Sequence, residues 1–461
     1  MLQSDSREPL YLQLYQHFKK EIESKKMAAG QKLPSIRDLA KSLSLSKITI
    51  EKAYQQLTSE GYIESGNRSR YTVSHIEEIA FQPLPRKQKA PEQKQLEKDR
   101  TVRYDFSSGE MDKEGFDFSL WKRCINKVLH DTERLTSYGA PKGERELRQE
   151  IARYIRLSRG VEALPEQIII GPGVQSLLNI LCSLLKGEHN MIAFEEPGFK
   201  NGRRIFADHD FTIVPVRMNK DGIDMRELEA SGANLLYLSP SHQFPTGHIM
   251  PISKRNSLLN WAEKKNALII EDDYDSEFRY AGRPIPALKG LDKGGNVVYL
   301  GSFSKIIPPS VRISFMVMPA SLLGYYNQKS SLYNQGSSTL EQLTLARFMA
   351  DGHFDRQVRR LRKLYAEKSI LFHESLRDIF GSHATVSASE SGLHTVLSIN
   401  SPFTAHQLVE QALAKGCAVA PMEDYYFQKV FVEQPQIILY FSKIPANELR
   451  SAVTLLKEAW F

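Results

Sequence analysis

Apolar positions along residues 104–461 fall into short runs separated by longer amphipathic stretches. Runs at 167–170, 190–194, 211–216, 234–238, 267–270, 296–300 and 313–318 have the length and content of buried strands. Helical spacing takes over between several of them, as at 173–185 and 253–265. Strand–helix alternation of this kind predicts an α/β fold built on an open, mostly parallel sheet. Such sheets bind ligands beyond the carboxyl ends of their strands. The first 75 residues read differently. Leu10, Leu14, Phe18 and Ile22 repeat at helical spacing, and a second short helix is expected from Ser35 to about Leu43. A third follows a tight turn over 46–57, with Ile50, Ala53, Tyr54 and Leu57 on one face. Residues 61–64 and 71–73 then alternate as a two-stranded wing around a turn carrying Arg68 and Arg70. Residues 76–103 are rich in Gln, Lys, Glu and Pro and too poor in apolar groups to fold alone, which predicts a flexible linker.

Composition narrows the class. A chain of 461 residues predicts two or three domains, here 1–75, 76–103 and 104–461. With 41% hydrophobic and 25% charged residues it has the make-up of a soluble globular protein. No apolar run approaches the ~18 residues of a membrane span, and the first ten residues lack the apolar core of a secretory signal. Three widely spaced cysteines, Cys124, Cys182 and Cys417, have no metal-ligand rhythm and are expected as reduced thiols of a cytoplasmic protein. Residues 1–74 hold 12 basic and 8 acidic side chains, so +4 of the +7 net charge sits in that segment. Two short helices, a tight turn and polar residues at the start of the second form a helix-turn-helix, and the charge suits DNA.

The chemistry is concentrated at the strand ends. Gly301, Ser302, Phe303, Ser304 and Lys305 follow the run 296–300, with Arg312 seven positions beyond the lysine. A lysine amine beside two hydroxyls and a guanidinium suits a ligand with both an aldehyde and a phosphate, as in pyridoxal 5′-phosphate. Residues 271–275, Glu-Asp-Asp-Tyr-Asp, follow another run; a carboxylate there is costly unless it meets a cation such as a protonated pyridine nitrogen, with a cap or turn built from Asp as the alternative. Gly171-Pro172-Gly173-Val174-Gln175 stands between a strand and a helix, and is read either as a turn whose backbone amides approach an anion or as an ordinary strand-to-helix turn. Phe199, after the strand 190–194, is placed either to stack on a planar ring or to pack in the core. His242, in the polar turn 239–247, is read either as a ring contact or as a loop histidine satisfied by backbone.

Taken in order, these motifs make residues 104–461 resemble the fold-type I pyridoxal phosphate proteins of the aspartate aminotransferase class, with a large mostly parallel sheet and a smaller α+β part. The resemblance implies that Lys305 condenses with the cofactor aldehyde, Asp272 pairs the pyridine nitrogen and Tyr274 lies near the ring hydroxyl. It likewise places Ser302, Ser304 and Arg312 in the phosphate cup with the amides of Gly173, Val174 and Gln175, and Phe199 on the ring. Tyr138, in 138–143, matches a tyrosine that reaches the phosphate of the neighbouring subunit, which implies a homodimer. Two departures stand out. Phe244-Pro245-Thr246-Gly247 occupies the place of the usual Asn-Pro-Thr-Gly, and the run 437–442 lacks the arginine that grips a substrate carboxylate. Loss of a bidentate arginine weakens α-amino acid binding by roughly 1.5–3 kcal/mol. Arg203 and Arg204 are candidate effector anchors, with a surface role as the alternative.

The phrase 34–40, Pro-Ser-Ile-Arg-Asp-Leu-Ala, followed by 49–63, resembles the winged helix-turn-helix of the GntR regulators. By that resemblance Ser35, Arg37, Lys47 and Thr49 contact DNA, with Arg68 or Arg70 in the wing. Head, linker and body together resemble the MocR/GabR subfamily. The resemblance implies a cytoplasmic transcription factor that binds a double-stranded operator as a homodimer, its heads docked on the partner subunit. Its signal is expected to be an amino compound or pyridoxal phosphate itself. An active aminotransferase carrying a DNA-binding domain is the alternative.

Overall fold

The computed structural model describes residues 8–66, 70–75, 102–187, 189–280, 285–330, 333–387, 391–428 and 433–461. The chain divides into two compact units, Met1–Glu97 and Lys98–Phe461. Of the expected linker, all but Val102 and Arg103 lies outside the described residues.

The first unit packs three helices against a wing. In α1 (Leu10–Glu23) the residues Leu14, Phe18 and Ile22 are buried as their spacing predicts, and Tyr15 joins them. The cap of α2 (Ile36–Leu43) is Ser35, whose Oγ accepts from the Asp38 amide at 3.2 Å; α2 stops at Ser44, in the left-handed region with φ of 54°. Ser46 caps α3 (Lys47–Ser59) in the same way through the Thr49 amide at 3.1 Å. Ile50, Ala53, Tyr54 and Leu57 of α3 are fully buried, and the Tyr54 phenol ties α3 to the turn before α2 by donating to the Pro34 carbonyl at 3.0 Å. The wing is β1 (Ile63–Gly66) paired antiparallel with β2 (Arg70–Val73). Residues 30–33 add a third edge, with Gly30 donating to Val73 and Leu33 to Tyr71, which the alternation of the sequence does not announce.

The second unit opens with β3 (Tyr104–Asp105). Its large sheet is made of β4 (Ile168–Gly171), β5 (Met191–Glu196), β6 (Thr212–Asn219), β7 (Gly222–Ile223), β8 (Leu235–Leu238), β9 (Leu268–Asp273), β10 (Val297–Ser302) and β11 (Ser314–Val317). All seven predicted runs are strands, and their spatial order is β4-β11-β10-β9-β8-β5-β6-β7. The sheet is parallel from β10 through β6; β11 runs antiparallel to both its neighbours and β7 closes a hairpin on β6. Because strand side chains alternate between faces, Ile270 packs with Leu177, Leu178 and Leu181 of helix Val174–Leu185, whereas Ile269 packs with Leu258 and Trp261 of helix Ile252–Lys265. A smaller antiparallel sheet, ordered β12-β13-β16-β15, is formed by β12 (Ala384–Val386), β13 (His394–Ile399), β15 (Ala420–Pro421) and β16 (Gln436–Tyr440). The remaining strand, β14 (Cys417–Ala418), pairs in parallel with β3. Cys124, Cys182 and Cys417 are all unbridged and buried. Among the described residues no helix is long and apolar enough to cross a membrane.

Candidate functional site

A cleft of about 510 Å³ opens at the carboxyl ends of the central strands. It is lined by Gly173, Val174, Gln175, Phe199, Asp272, Tyr274, Ser302, Ser304, Lys305 and Arg312, ten residues singled out from the sequence and scattered over 140 positions (173 to 312). One end of the cleft is built for an anion. Gly173 stands with φ of +123° as the cap of helix Val174–Leu185, so the first amides of that helix have no side chain in front of them. A Cβ at this position would run into the Arg312 guanidinium. Arg312 itself donates to the Pro172 carbonyl at 2.8 Å, which aims it along the same turn. The hydroxyls of Ser302 and Ser304 lie 2.9 Å apart, and Ser314, a residue the sequence did not single out, donates to Ser302 at 3.1 Å.

Alternation along β9 separates three adjacent carboxylates. Glu271 turns to one face and accepts from the Leu288 and Lys289 amides at 2.7 and 2.8 Å. Asp273, on that same face, pairs with Arg159 at 2.7 Å and accepts from the Tyr299 phenol at 2.6 Å. Asp272 points the other way, into the cleft. Its Oδ2 accepts from Tyr237 at 2.5 Å, while its Oδ1 is buried with no partner among the described residues. Burial pushes this carboxyl up to about 7; Asp273 and Asp275 push the same way and the Tyr237 hydrogen bond opposes them. Burial lowers the Lys305 amine below the ordinary lysine range, against the pull of Asp275 and Glu110. Lys305 Nζ donates to the Gly109 carbonyl at 2.5 Å and stands over the Tyr440 ring, 6.0 Å from its centroid.

Phe199 stacks on Tyr237 with centroids 6.0 Å apart and planes 22° apart, so the ring expected at the cofactor face continues an aromatic stack behind Asp272. Tyr237 went unnoticed in the sequence because an aromatic inside an apolar run reads as core. His242 is buried, and its partners are side chains: the Asp275 carboxylate and the Tyr274 phenol. This corrects the reading of a loop histidine satisfied by backbone. Phe244 and Tyr440 also line the cleft; Phe244 opens the segment that stands in place of Asn-Pro-Thr-Gly, and Tyr440 belongs to the run 437–442 that lacks the arginine. Arg203 is not free to anchor an effector: it is buried, donating to Glu196 at 2.8 Å and to the Tyr425 carbonyl at 2.7 Å. Arg204 is exposed and does not line the cleft. Nor does Tyr138, which is 93% exposed.

In the first unit Arg37, Lys47 and Arg70 are exposed, whereas Thr49 and Ser35 are half-buried. Arg68 lies outside the described residues. The Ser35 hydroxyl is engaged with Asp38 Oδ2 at 2.6 Å and that of Thr49 with Ser46 at 2.8 Å, so both hold the starts of their helices. Ile48, beside Lys47, is 65% exposed.

The residues present fit pyridoxal 5′-phosphate. An orphaned buried carboxylate oxygen suits a protonated pyridine nitrogen, a buried lysine suits an aldehyde, and the Gly173 turn with Arg312, Ser302 and Ser304 suits a phosphate. Residues 103–434 match the model of aminotransferase class I and II, and residues 10–73 that of the gntR family of bacterial regulatory proteins. The uncharacterized HTH-type transcriptional regulator YdeL of Bacillus subtilis is 38% identical over 98% of this chain and 97% of its own length. The Probable rhizopine catabolism regulatory protein MocR of Rhizobium meliloti is 31% identical over 100% of this chain and 95% of its own. Among solved structures, the kynurenine aminotransferase of Pyrococcus horikoshii, in complex with PMP, superposes with a TM-score of 0.69 at 21% identity, covering 77% of this chain and 90% of that one. That likeness concerns the fold. By the two domain matches and these relatives, the chain belongs to the MocR/GabR subfamily of GntR-family transcriptional regulators, in which a helix-turn-helix head and an aminotransferase-like body share one polypeptide.

Proposed function

We propose that the body of this regulator holds pyridoxal 5′-phosphate in the described cleft and uses it to sense an amino compound or the cofactor itself. The observation that carries this is one cleft containing the unpartnered Asp272 Oδ1, the buried Lys305 amine and an anion-binding helix start. When bound, the cofactor supplies an aldehyde that captures amines and a ring that withdraws electrons. Gly173, Val174, Gln175, Ser302, Ser304 and Arg312 hold its phosphate. Asp272 neutralises the charge of its ring nitrogen, Tyr274 meets the ring oxygen, and Phe199 covers one face. Lys305 presents an amine that burial holds closer to its neutral form. An effector favours one of two body states by the difference in its affinity for them, and this changes how two heads meet an operator. We read the working unit as a cytoplasmic homodimer, its heads docked on the partner subunit and Tyr138 of each body reaching the other cleft. In the head, Arg37 and Lys47, with Arg68 or Arg70 of the wing, contact the duplex; Ser35 and Thr49 stand at the helix starts beside them.

Sensing is favoured over α-amino acid turnover because the cleft wall from β16 is Tyr440, and among the described residues its one arginine is Arg312 at the phosphate end. The test is to titrate the purified protein with amines and amino acids while recording its visible spectrum and, in parallel, gel shifts with candidate operator DNA. Spectral change that stops short of pyridoxamine phosphate, together with altered DNA affinity, supports the reading. Sequence-independent DNA binding under all conditions, or no cofactor absorbance, refutes it. Repeated turnover with a keto acid would make the protein an enzyme.

A further inference from the structure

His242 and Asp275 form a buried pair that no step above uses. Each side chain is 2% exposed, and His242 Nδ1 lies 2.9 Å from both Asp275 oxygens. The Tyr274 phenol oxygen is 3.0 Å from the same nitrogen. A neutral imidazole nitrogen is either donor or acceptor, and a carboxylate only accepts. If Nδ1 were a bare lone pair it would face two carboxylate oxygens at contact distance, so Nδ1 carries the hydrogen. The Tyr274 O–H then has no acceptor at His242, and its hydrogen is left to point into the cleft that Tyr274 lines. Burial holds this phenol protonated, well above the ordinary tyrosine range.

On the far side of the ring, among the described residues, the neighbour is another imidazole. The neighbouring imidazole, His394, has its centroid 5.3 Å away and its Nε2 2.9 Å from the Pro245 carbonyl, so that nitrogen is its donor. Burial, with the nearby His242, pushes His394 down to about 4, so it stays neutral. Its Nδ1 is therefore an acceptor, and among the described residues both that atom and His242 Nε2 are buried without partners. Among the described residues, Lys305, Tyr440, Asp272, Glu195 and Tyr280 are the titratable groups around Tyr274, Asp275 and His394, and Arg159 and Arg279 line a small cavity with Asp275 and His242. The imidazole is also fixed in place, because a Cβ on Gly392 would collide with it.

We propose that Asp275, acting through His242, is a positioning pair that turns the Tyr274 phenol into a hydrogen-bond donor toward the ring oxygen of the cofactor. This rests on the cofactor reading above. Without the carboxylate, His242 is free to take the tautomer whose Nδ1 accepts the phenolic hydrogen, and the cleft loses its donor.

The experiment is a pH titration of the visible spectrum of the full-length protein loaded with pyridoxal phosphate. A phenol that donates to the ring oxygen stabilises the deprotonated chromophore, so losing it raises the apparent pKa by about one pH unit. Tyr274→Phe and Asp275→Asn are both expected to shift it upward. The double variant is expected to move no further than Tyr274→Phe alone. The sign discriminates: removing a negative charge that acted only through space would lower the apparent pKa. Adding His242→Phe to Asp275→Asn removes the competing acceptor and should return the titration toward wild type. A downward or absent shift in Asp275→Asn, or additivity with Tyr274→Phe, overturns the proposal while leaving cofactor binding intact. A wild-type protein without cofactor absorbance overturns both readings. If Asp275→Asn does not fold, Asp275→Ser takes its place: an upward shift like that of Tyr274→Phe supports the pair, and a downward or absent shift overturns it.

Discussion

Asp272 shows what a single orientation decides. Three acidic residues stand in a row at the end of β9, and the period of two sends only the middle one into the cleft. Asp272→Asn keeps the shape and removes the charge; cofactor affinity is expected to fall by about 10- to 100-fold, the scale of roughly 1.5–3 kcal/mol for a charged hydrogen bond. Equilibrium titration of the visible band measures it, and unchanged affinity would remove Asp272 from the site. The same residue gives a pH dependence. Glu271, Asp272 and Glu277 are each held up to about 7, and Glu195 to about 8, first of all by burial. Between the ordinary carboxyl range and these values the folded body keeps protons that the unfolded chain has lost, so stability falls as pH rises from about 4 to about 8. The cofactor-free protein should therefore melt higher at about pH 5.5 than at about pH 8. Cofactor should narrow the gap by giving Asp272 a cationic partner, and Asp272→Asn should narrow it without cofactor. A gap that ignores both changes would mean that this carboxyl is ionised throughout.

At the scale of elements, the chain was legible wherever chemistry sat at the end of a periodic run. Helix α3 shows this: four apolar positions at helical spacing are all buried, and the polar start they leave exposed is the part expected to meet DNA. Arg37→Ala should lower operator affinity about tenfold and flatten the salt dependence by close to one counterion, with no change in the cofactor spectrum. A gel-shift series over salt concentration reads both effects, and an altered spectrum would mean that the change spreads beyond the head. Ser35→Ala should act by another route, removing a helix cap for about 1 kcal/mol and lowering the melting temperature of the head. What stayed hidden were pairings between distant elements. The third edge of the wing at 30–33 has no alternation of its own, since its hydrogen bonds come from β2. Tyr237, Ser314 and the His242–Asp275 pair lie in segments that read as core, as strand or as an acidic turn. Only the parallel order of β8 and β9 brings His242 beside Asp275, 33 residues away.

For the whole molecule, the exposed Tyr138 is the informative residue. Tyr138 is a large aromatic left almost fully in solvent, outside a cleft that ten other expected residues line, so under the homodimer proposed above its partner would be the other subunit's cleft. Tyr138→Ala should leave the melting temperature of the body unchanged and weaken cofactor binding several-fold. Sedimentation velocity together with cofactor titration tests this, and a cofactor affinity indifferent to the change would remove Tyr138 from the site. The low-apolar stretch 76–103 breaks the pattern on both sides, and the boundary between the two compact units falls inside it, after Glu97. Their mutual arrangement leaves no such trace in the chain.

Gly109 carries a consequence of its own. Its carbonyl receives the Lys305 amine, and a Cβ there would come within 2.7 Å of the Tyr440 ring and 2.8 Å of Lys305 Nζ. In a saturation-mutagenesis library screened for cofactor colour, position 109 should therefore tolerate as little as position 305, though the two stand 196 residues apart and only one of them carries a reactive group.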